Sequence, residues 1–145
     1  MSDQTRLSPF CIAQRVYYQH TDVGGVVYHG RYLDFMESAR IEFLRSLGFD
    51  LAELAARDAV MFIVRGARLE FARPARLGDL LTITAEVAKV GFASLDFVQR
   101  VLAQRSSRGE ELLVTGRLEL GCVHPQTLKP VRMPQTVRTT LGTPA

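Results

Sequence analysis

The stretch R-V-Y-Y-Q-H-T-D-V-G-G-V-V-Y-H-G-R-Y-L-D-F-M-E-S-A-R-I-E-F-L-R-S-L-G, from Arg15 to Gly48, decides how the rest of the chain is arranged. Val16, Tyr17 and Tyr18 favour a strand, expected over about residues 10–18. Thr21-Asp22 ends it, and Gly24-Gly25 permits backbone angles that other residues resist. Helical spacing begins near His29 or Gly30 and stops at Gly48, a residue suited to the position just past a helix. Over residues 30–47, Tyr32, Met36, Ala39, Phe43 and Leu47 form one stripe, and Leu33, Phe35 and Leu44 widen it. Arg31, Asp34, Ser38, Glu42 and Arg45 gather opposite. A helix apolar over more than half its girth needs a sheet that wraps it.

Chemistry is expected where loop meets helix. Asp22 stands before a flexible turn that feeds a helix N-terminus, where N–H groups lack partners and carry partial positive charge. A carboxylate beside such donors can attack a carbonyl, or activate water to do so, while the donors hold the oxyanion. By residue type alone, Asp22 serves equally as a turn-capping aspartate.

Past this stretch, a short helix over residues 51–57, capped by Asp50, precedes four strands. The first covers residues 59–71 and closes at Arg73-Pro74. The second, 79–90, alternates Leu81, Ile83, Ala85 and Val87 against Thr82, Thr84 and Glu86. The third, 93–102, sets Leu95 and Phe97 opposite Ser94 and Asp96. The fourth, 111–123, places Leu112, Val114, Leu118 and Leu120 on one face. Gly91 turns the second strand into the third, and residues 106–109 make a polar hairpin loop. His124-Pro125 ends the last strand, leaving a loop with at most one short helical turn. Residues 1–9 are polar and expected to fray. This order is α+β with an antiparallel sheet, in one domain spanning residues 1–145.

The motif Y-x-x-T-D-x-x-G-V-V-Y-H (Tyr18 to His29), followed by R-Y-L-x-F-x-E-x-A-R (Arg31 to Arg40), resembles the active-site signature of the 4-hydroxybenzoyl-CoA thioesterase family. Within that family it is most similar to the Tol-Pal-associated acyl-CoA thioesterases. The resemblance continues through V-R-G-A-R-L-E-F-A-R-P-A-R-L-G-D (Val64 to Asp79) and C-V-H-P-Q-T-L-K-P-V-R-M-P (Cys122 to Pro134). It implies a hotdog fold, a curved antiparallel sheet of about five strands around a long central helix. It implies an acyl-CoA thioesterase with no cofactor and no metal, acting as a homo-oligomer, a dimer or tetramer, with sites at the subunit boundary. Acyl carrier protein stands beside CoA as a carrier. Asp22 matches the family's catalytic aspartate, as nucleophile or as base. His29 matches the position whose backbone N–H is the oxyanion donor, reached through Gly24 and Gly25, and its imidazole is a second candidate. The departure is at Gln19-His20, where close relatives carry acidic residues. This removes negative charge near the site and makes His20 an alternative base.

Further candidates are Tyr28, Glu37 and Lys89 as substrate contacts, Lys89 because it aligns loosely with a phosphate-contacting segment in a relative. Lys129 and Arg132 are weaker options. Glu37 and Arg40 fall on the apolar side of the helix at i, i+3 spacing, where unpaired charges are costly, so they are expected to pair. A hotdog hydroxyacyl-thioester dehydratase pairs a histidine with an acidic residue, and an acyl-thioester binding module needs no catalytic aspartate; both compete with hydrolysis.

A net charge of +3 without a basic run or aromatic-basic motif argues against nucleic acid. Cys11 and Cys122 lie far apart and are expected as buried free thiols of a reducing compartment. No apolar run approaches the ~18 residues of a membrane helix, and no apolar leader is present, so a cytoplasmic protein is expected. The strand over 59–71 is long and carries Val, Ile and Phe without proline. As a sheet edge it would pair with a second copy.

Overall fold

Both edges of the sheet touch the same helix. In the computed structural model, which describes residues 9–106 and 109–142, β1 (Phe10–Arg15) leads through a 3-10 turn (Tyr18–His20) into α1 (Arg31–Ser46). There follow α2 (Leu51–Asp58), β2 (Met61–Phe71), β3 (Leu80–Val90), β4 (Ser94–Ser106), β5 (Gly109–Val123) and α3 (Gln135–Gly142). The strands form one antiparallel sheet in the order β1-β3-β4-β5-β2. Phe10 of β1 and Phe97 of β4 each meet Phe43 of α1 with ring centroids 5.8 Å apart. Phe71 at the end of β2 lies 5.7 Å from Tyr32 of α1. Five strands at about 4.8 Å spacing span roughly 19 Å, against about 10–12 Å for a helix. Contact from both edges therefore requires the sheet to curl around α1, which is the hotdog arrangement.

Met36 and Ala39 on α1 are fully buried against Leu81, Ile83, Leu95, Phe97 and Leu118 of the sheet. Close approach over β5 depends on Gly116: a Cβ there would come within 2.9 Å of the Met36 thioether. The capping expectation for α2 holds, since Asp50 accepts the Glu53 N–H at 3.1 Å. The alternation expected for β3 holds at Leu81, Ile83 and Ala85, all buried, but fails at Thr84, which is buried as well, and weakens at half-buried Val87.

Four expectations need correction. The first strand stops at Arg15, because the His20 ring accepts the Tyr17 N–H and turns the chain there. Leu33 and Leu47 are 40% exposed, so the apolar stripe of α1 is narrower than the wheel suggests. Leu112 is exposed while Leu113 and Val114 are buried. The β4–β5 register steps from Val101↔Val114 to Leu102↔Leu112, a bulge that reverses the faces beyond it. The C-terminal segment is a helix of 8 residues rather than a single short turn, held by buried Val137 and Leu141. Of the fray expected over residues 1–9 and the hairpin loop over 106–109, residues 1–8 and 107–108 lie outside the described residues, while Ser106 and Gly109 pair as the ends of β4 and β5. Among the described residues no helix is long and apolar enough to cross a membrane.

Candidate active site

The loop that carries Asp22 is a small closed structure. The Tyr28 N–H donates to His20 O, Asp22 N–H to Val26 O, and Gly25 N–H to Asp22 O, at 3.0 to 3.1 Å. Gly25 sits at φ +80°, the left-handed region where a side chain is strained. The Asp22 carboxylate accepts the Gly24 N–H at 2.9 Å through Oδ1 and is otherwise exposed. It is both the turn cap that its residue type suggests and a carboxylate open to solvent.

The loop is pinned to the segment before β3. Val27 N–H donates to Ala75 O, and Leu77 N–H to Gly25 O. Ala75 N–H in turn donates to the buried Tyr32 hydroxyl at 3.0 Å, tying loop, segment and helix together. Arg105 of β4 clasps the same segment through Asp79 Oδ2 at 2.6 Å and the Pro74 carbonyl. The A-R-L-G-D run is thus a brace for the Asp22 loop.

Among the described residues, two donors stay unused just before α1, while the N–H groups of Tyr32 and Leu33 donate to His29 O and Gly30 O. Arg31 N–H donates back to Tyr28 O, but among the described residues no hydrogen bond engages the N–H of His29 or Gly30. The Tyr28 ring stacks on His29 with centroids 4.5 Å apart. It also crosses Gly30, where an added Cβ would come within 2.7 Å of the ring. Tyr28, His29, Gly24 and Gly25 are thus gathered with Asp22 in one loop-and-helix start.

Residues 16–141 match the thioesterase-like superfamily. The chain belongs to it. The acyl-CoA thioesterase YbgC of Haemophilus influenzae is 38% identical over 129 residues, covering 89% of this chain and 91% of that one. The acyl-CoA thioester hydrolase YbgC of Escherichia coli O6:H1 is 40% identical over 123 residues, covering 85% and 88%. The crystal structure of a probable thioesterase from Bartonella henselae superposes with a TM-score of 0.79 at 36% identity, covering 88% of this chain and 100% of that one. The protein is a hotdog thioester hydrolase.

The other candidate residues of this thioesterase separate. His20 is buried, its ring edge-on to Phe35 at 5.0 Å and its Nδ1 filled by the Tyr17 N–H. Burial, then the nearby Arg31 charge, pushes its pKa below the ordinary value, so the neutral ring holds the loop. A histidine with a lowered folded pKa destabilises as pH falls below the unfolded value of about 6.5. Melting temperatures are expected to drop from pH 7 to pH 5.5, and His20→Gln to flatten that drop; equal slopes would refute the structural role.

Glu37 and Arg40 do not form the expected pair. Arg40 is buried and its Nη1 donates to Gln99 Oε1 of β4 at 2.9 Å, whereas Glu37 is exposed. Burial pushes the Arg40 guanidinium below its ordinary pKa, and the Glu37 carboxylate partly offsets this. Gln99 is fully buried and donates to Met36 O and Thr84 O. It was overlooked in the sequence, although Leu95-x-Phe97-x-Gln99-x-Val101 shows a polar residue on an apolar face.

Lys89 is exposed near the end of β3, away from the Asp22 loop in the chain, and pairs in register with Asp96. Beside that turn, Phe92 lies between two guanidinium groups, Arg132 at 4.6 Å and Arg138 at 4.7 Å. Phe92 and Arg138 line a cavity of about 340 Å³ reaching α3. Arg138 Nε is buried there with no hydrogen-bond partner among the described residues. Arg138 lies in the tail where no strong helix was expected, so nothing in the sequence tied it to Phe92.

Proposed function

We propose that this enzyme hydrolyses acyl-CoA thioesters to the free acid and CoA, with Asp22 as the reacting carboxylate and the His29 backbone N–H as oxyanion donor. The observation that carries the reading is an exposed, loop-fixed carboxylate on the same short loop as a helix start whose His29 and Gly30 N–H groups are unengaged among the described residues. Preorganised donors of this kind stabilise charge that develops on a carbonyl oxygen. Asp22 attacks the thioester carbon and expels the CoA thiolate, leaving a mixed anhydride that water hydrolyses to the free acid and the regenerated carboxylate, or it deprotonates a water that attacks the carbon and expels the thiolate; both routes use the same carboxylate. The Gly24 N–H bond orients it, and the Tyr28 ring orients the His29 end of the turn.

The cavity at Phe92, lined by Arg138, suits the anionic phosphates of CoA, with Arg132 over the same ring and Lys89 near the end of β3 as further charges for them. The YbgC relatives are named for acyl-CoA substrates, which supports the same reading. The deciding experiment is free-thiol release from acyl-CoA, monitored with a thiol reagent. A hydroxyacyl dehydratase or a binding module releases none, so its absence with any acyl-CoA would reject hydrolysis.

The active unit of this reading is at least a dimer. β2 is a sheet edge, paired on one side only with β5, and Val64 and Phe71 on it are 49% and 53% exposed. Joining two such edges across a two-fold axis removes the unpaired row and places each site at a subunit boundary. Dilution below the dimer's dissociation constant is expected to lower specific activity in step with mass. Sedimentation of a fully active 16.2 kDa species would overturn it.

A further inference from the structure

A second cavity of about 310 Å³ opens between α1 and β2, with apolar walls from Leu44, Leu51, Phe62 and Leu120 and two charged residues, Glu37 and Arg40. Among the described residues, one guanidinium donor of Arg40 is used, by Gln99. Arg40 is 6% exposed, yet among the described residues the buried unpaired side-chain atom is Arg138 Nε and none belongs to Arg40. Its remaining N–H groups therefore open on the cavity it lines. A cation with free donors in an apolar pocket calls for an oxygen acceptor. Glu37 lines the same cavity and repels an anionic one. A hydroxyl satisfies both, accepting from Arg40 and donating to Glu37.

Resting on the acyl-CoA reading above, we propose that this cavity receives the far end of the acyl group, and that Arg40 with Glu37 selects chains ending in a hydroxyl over plain alkyl chains. The reach can be placed. Gln99 bridges Arg40 Nη1 and Met36 O, so the guanidinium lies back at the level of Met36, one turn nearer the helix start. From Gly30 to Met36 the helix rises about 9 Å at ~1.5 Å per residue. An extended chain advances about 1.2 Å per bond, from ~3.6 Å per three-bond residue, so about eight carbons span that rise.

The test compares kcat/KM for octanoyl-CoA, 8-hydroxyoctanoyl-CoA and octanedioyl-CoA, with six- and ten-carbon counterparts. The hydroxylated chain of best length is expected to exceed its plain counterpart by at least ~10-fold, since a site built to bond a hydroxyl rejects the analogue lacking it. The dicarboxylic chain is expected to trail the hydroxylated one and to gain on it in Glu37→Gln. In the Arg40→Met/Gln99→Leu double variant, which removes donor and acceptor together, the hydroxyl preference is expected to vanish. Arg40→Lys, which keeps a donor, covers the case in which the double variant does not fold, and is expected to retain a reduced preference. Equal wild-type values for plain and hydroxylated chains at every length, or a preference that survives the double variant, would overturn the assignment while leaving acyl-CoA hydrolysis intact. If no acyl-CoA is turned over, hydrolysis itself fails. Dissociation constants of the same ligands for Asp22→Asn then decide, with equal or undetectable binding rejecting the pocket.

Discussion

Asp22→Asn is expected to lose at least ~10²-fold in kcat, roughly 2.7 kcal/mol of transition-state stabilisation, with KM and melting temperature little changed. Asparagine retains the side-chain oxygen that accepts the Gly24 N–H at 2.9 Å, so the turn keeps its cap. What disappears is the negative charge, and with it both the nucleophile and the base. The change separates chemistry from structure because the other loop bonds do not involve the Asp22 side chain. His29→Ala makes a useful companion, since it preserves the backbone donor and removes only the imidazole. A rate close to the parent's assigns the position to its N–H alone; a loss as deep as that of Asp22→Asn assigns the ring a part. Thiol release by a correctly folded Asp22→Asn variant at near-parent rate would remove Asp22 from the chemistry.

The parts of this site that were legible in the sequence are those fixed locally. Asp50 was readable as a cap because its partner, the Glu53 N–H, lies three residues on. The loop from Thr21 to His29 was readable because a carboxylate, a glycine pair and a helix start follow one another along the chain. What escaped depends on residues far apart. The reversal of Leu112 and Leu113 follows from how β4 and β5 register, and alternation within one strand carries no record of a bulge. The brace on the Asp22 loop joins Tyr32 to Ala75 and Arg105 to Asp79, contacts that exist only once the sheet has closed over α1. His20 read as a base because its type permits it; only burial against Phe35 and the bond from Tyr17 show that its ring is occupied. The wheel put Arg40 on the apolar side correctly and then assigned it the nearest carboxylate along the helix, whereas the partner came from the sheet.

That substitution of partner has a consequence for stability. Gln99→Leu removes the oxygen that accepts from Arg40 and strands a buried guanidinium, the arrangement that costs most. About 3 kcal/mol is expected, at the low end of the range because the cavity beside Arg40 gives the charge some relief. For a chain of this length that is about a 10 °C fall in melting temperature, at roughly 3 °C per kcal/mol. Arg40→Met leaves Gln99 Oε1 buried without a donor, while Gln99 Nε2 keeps Met36 O and Thr84 O, so about 1–3 kcal/mol is expected. The double variant is expected to cost less than the sum of the two, because neither the lone guanidinium nor the lone Gln99 Oε1 remains, although Met36 O and Thr84 O still lose the Gln99 donor. Glu37→Gln, at an exposed position, is expected to fall within about 0.5 kcal/mol of the parent. Thermal melts of the four proteins separate the alternatives. A large loss for Glu37→Gln with none for Gln99→Leu would restore the helix ion pair and dismiss Gln99 as the partner.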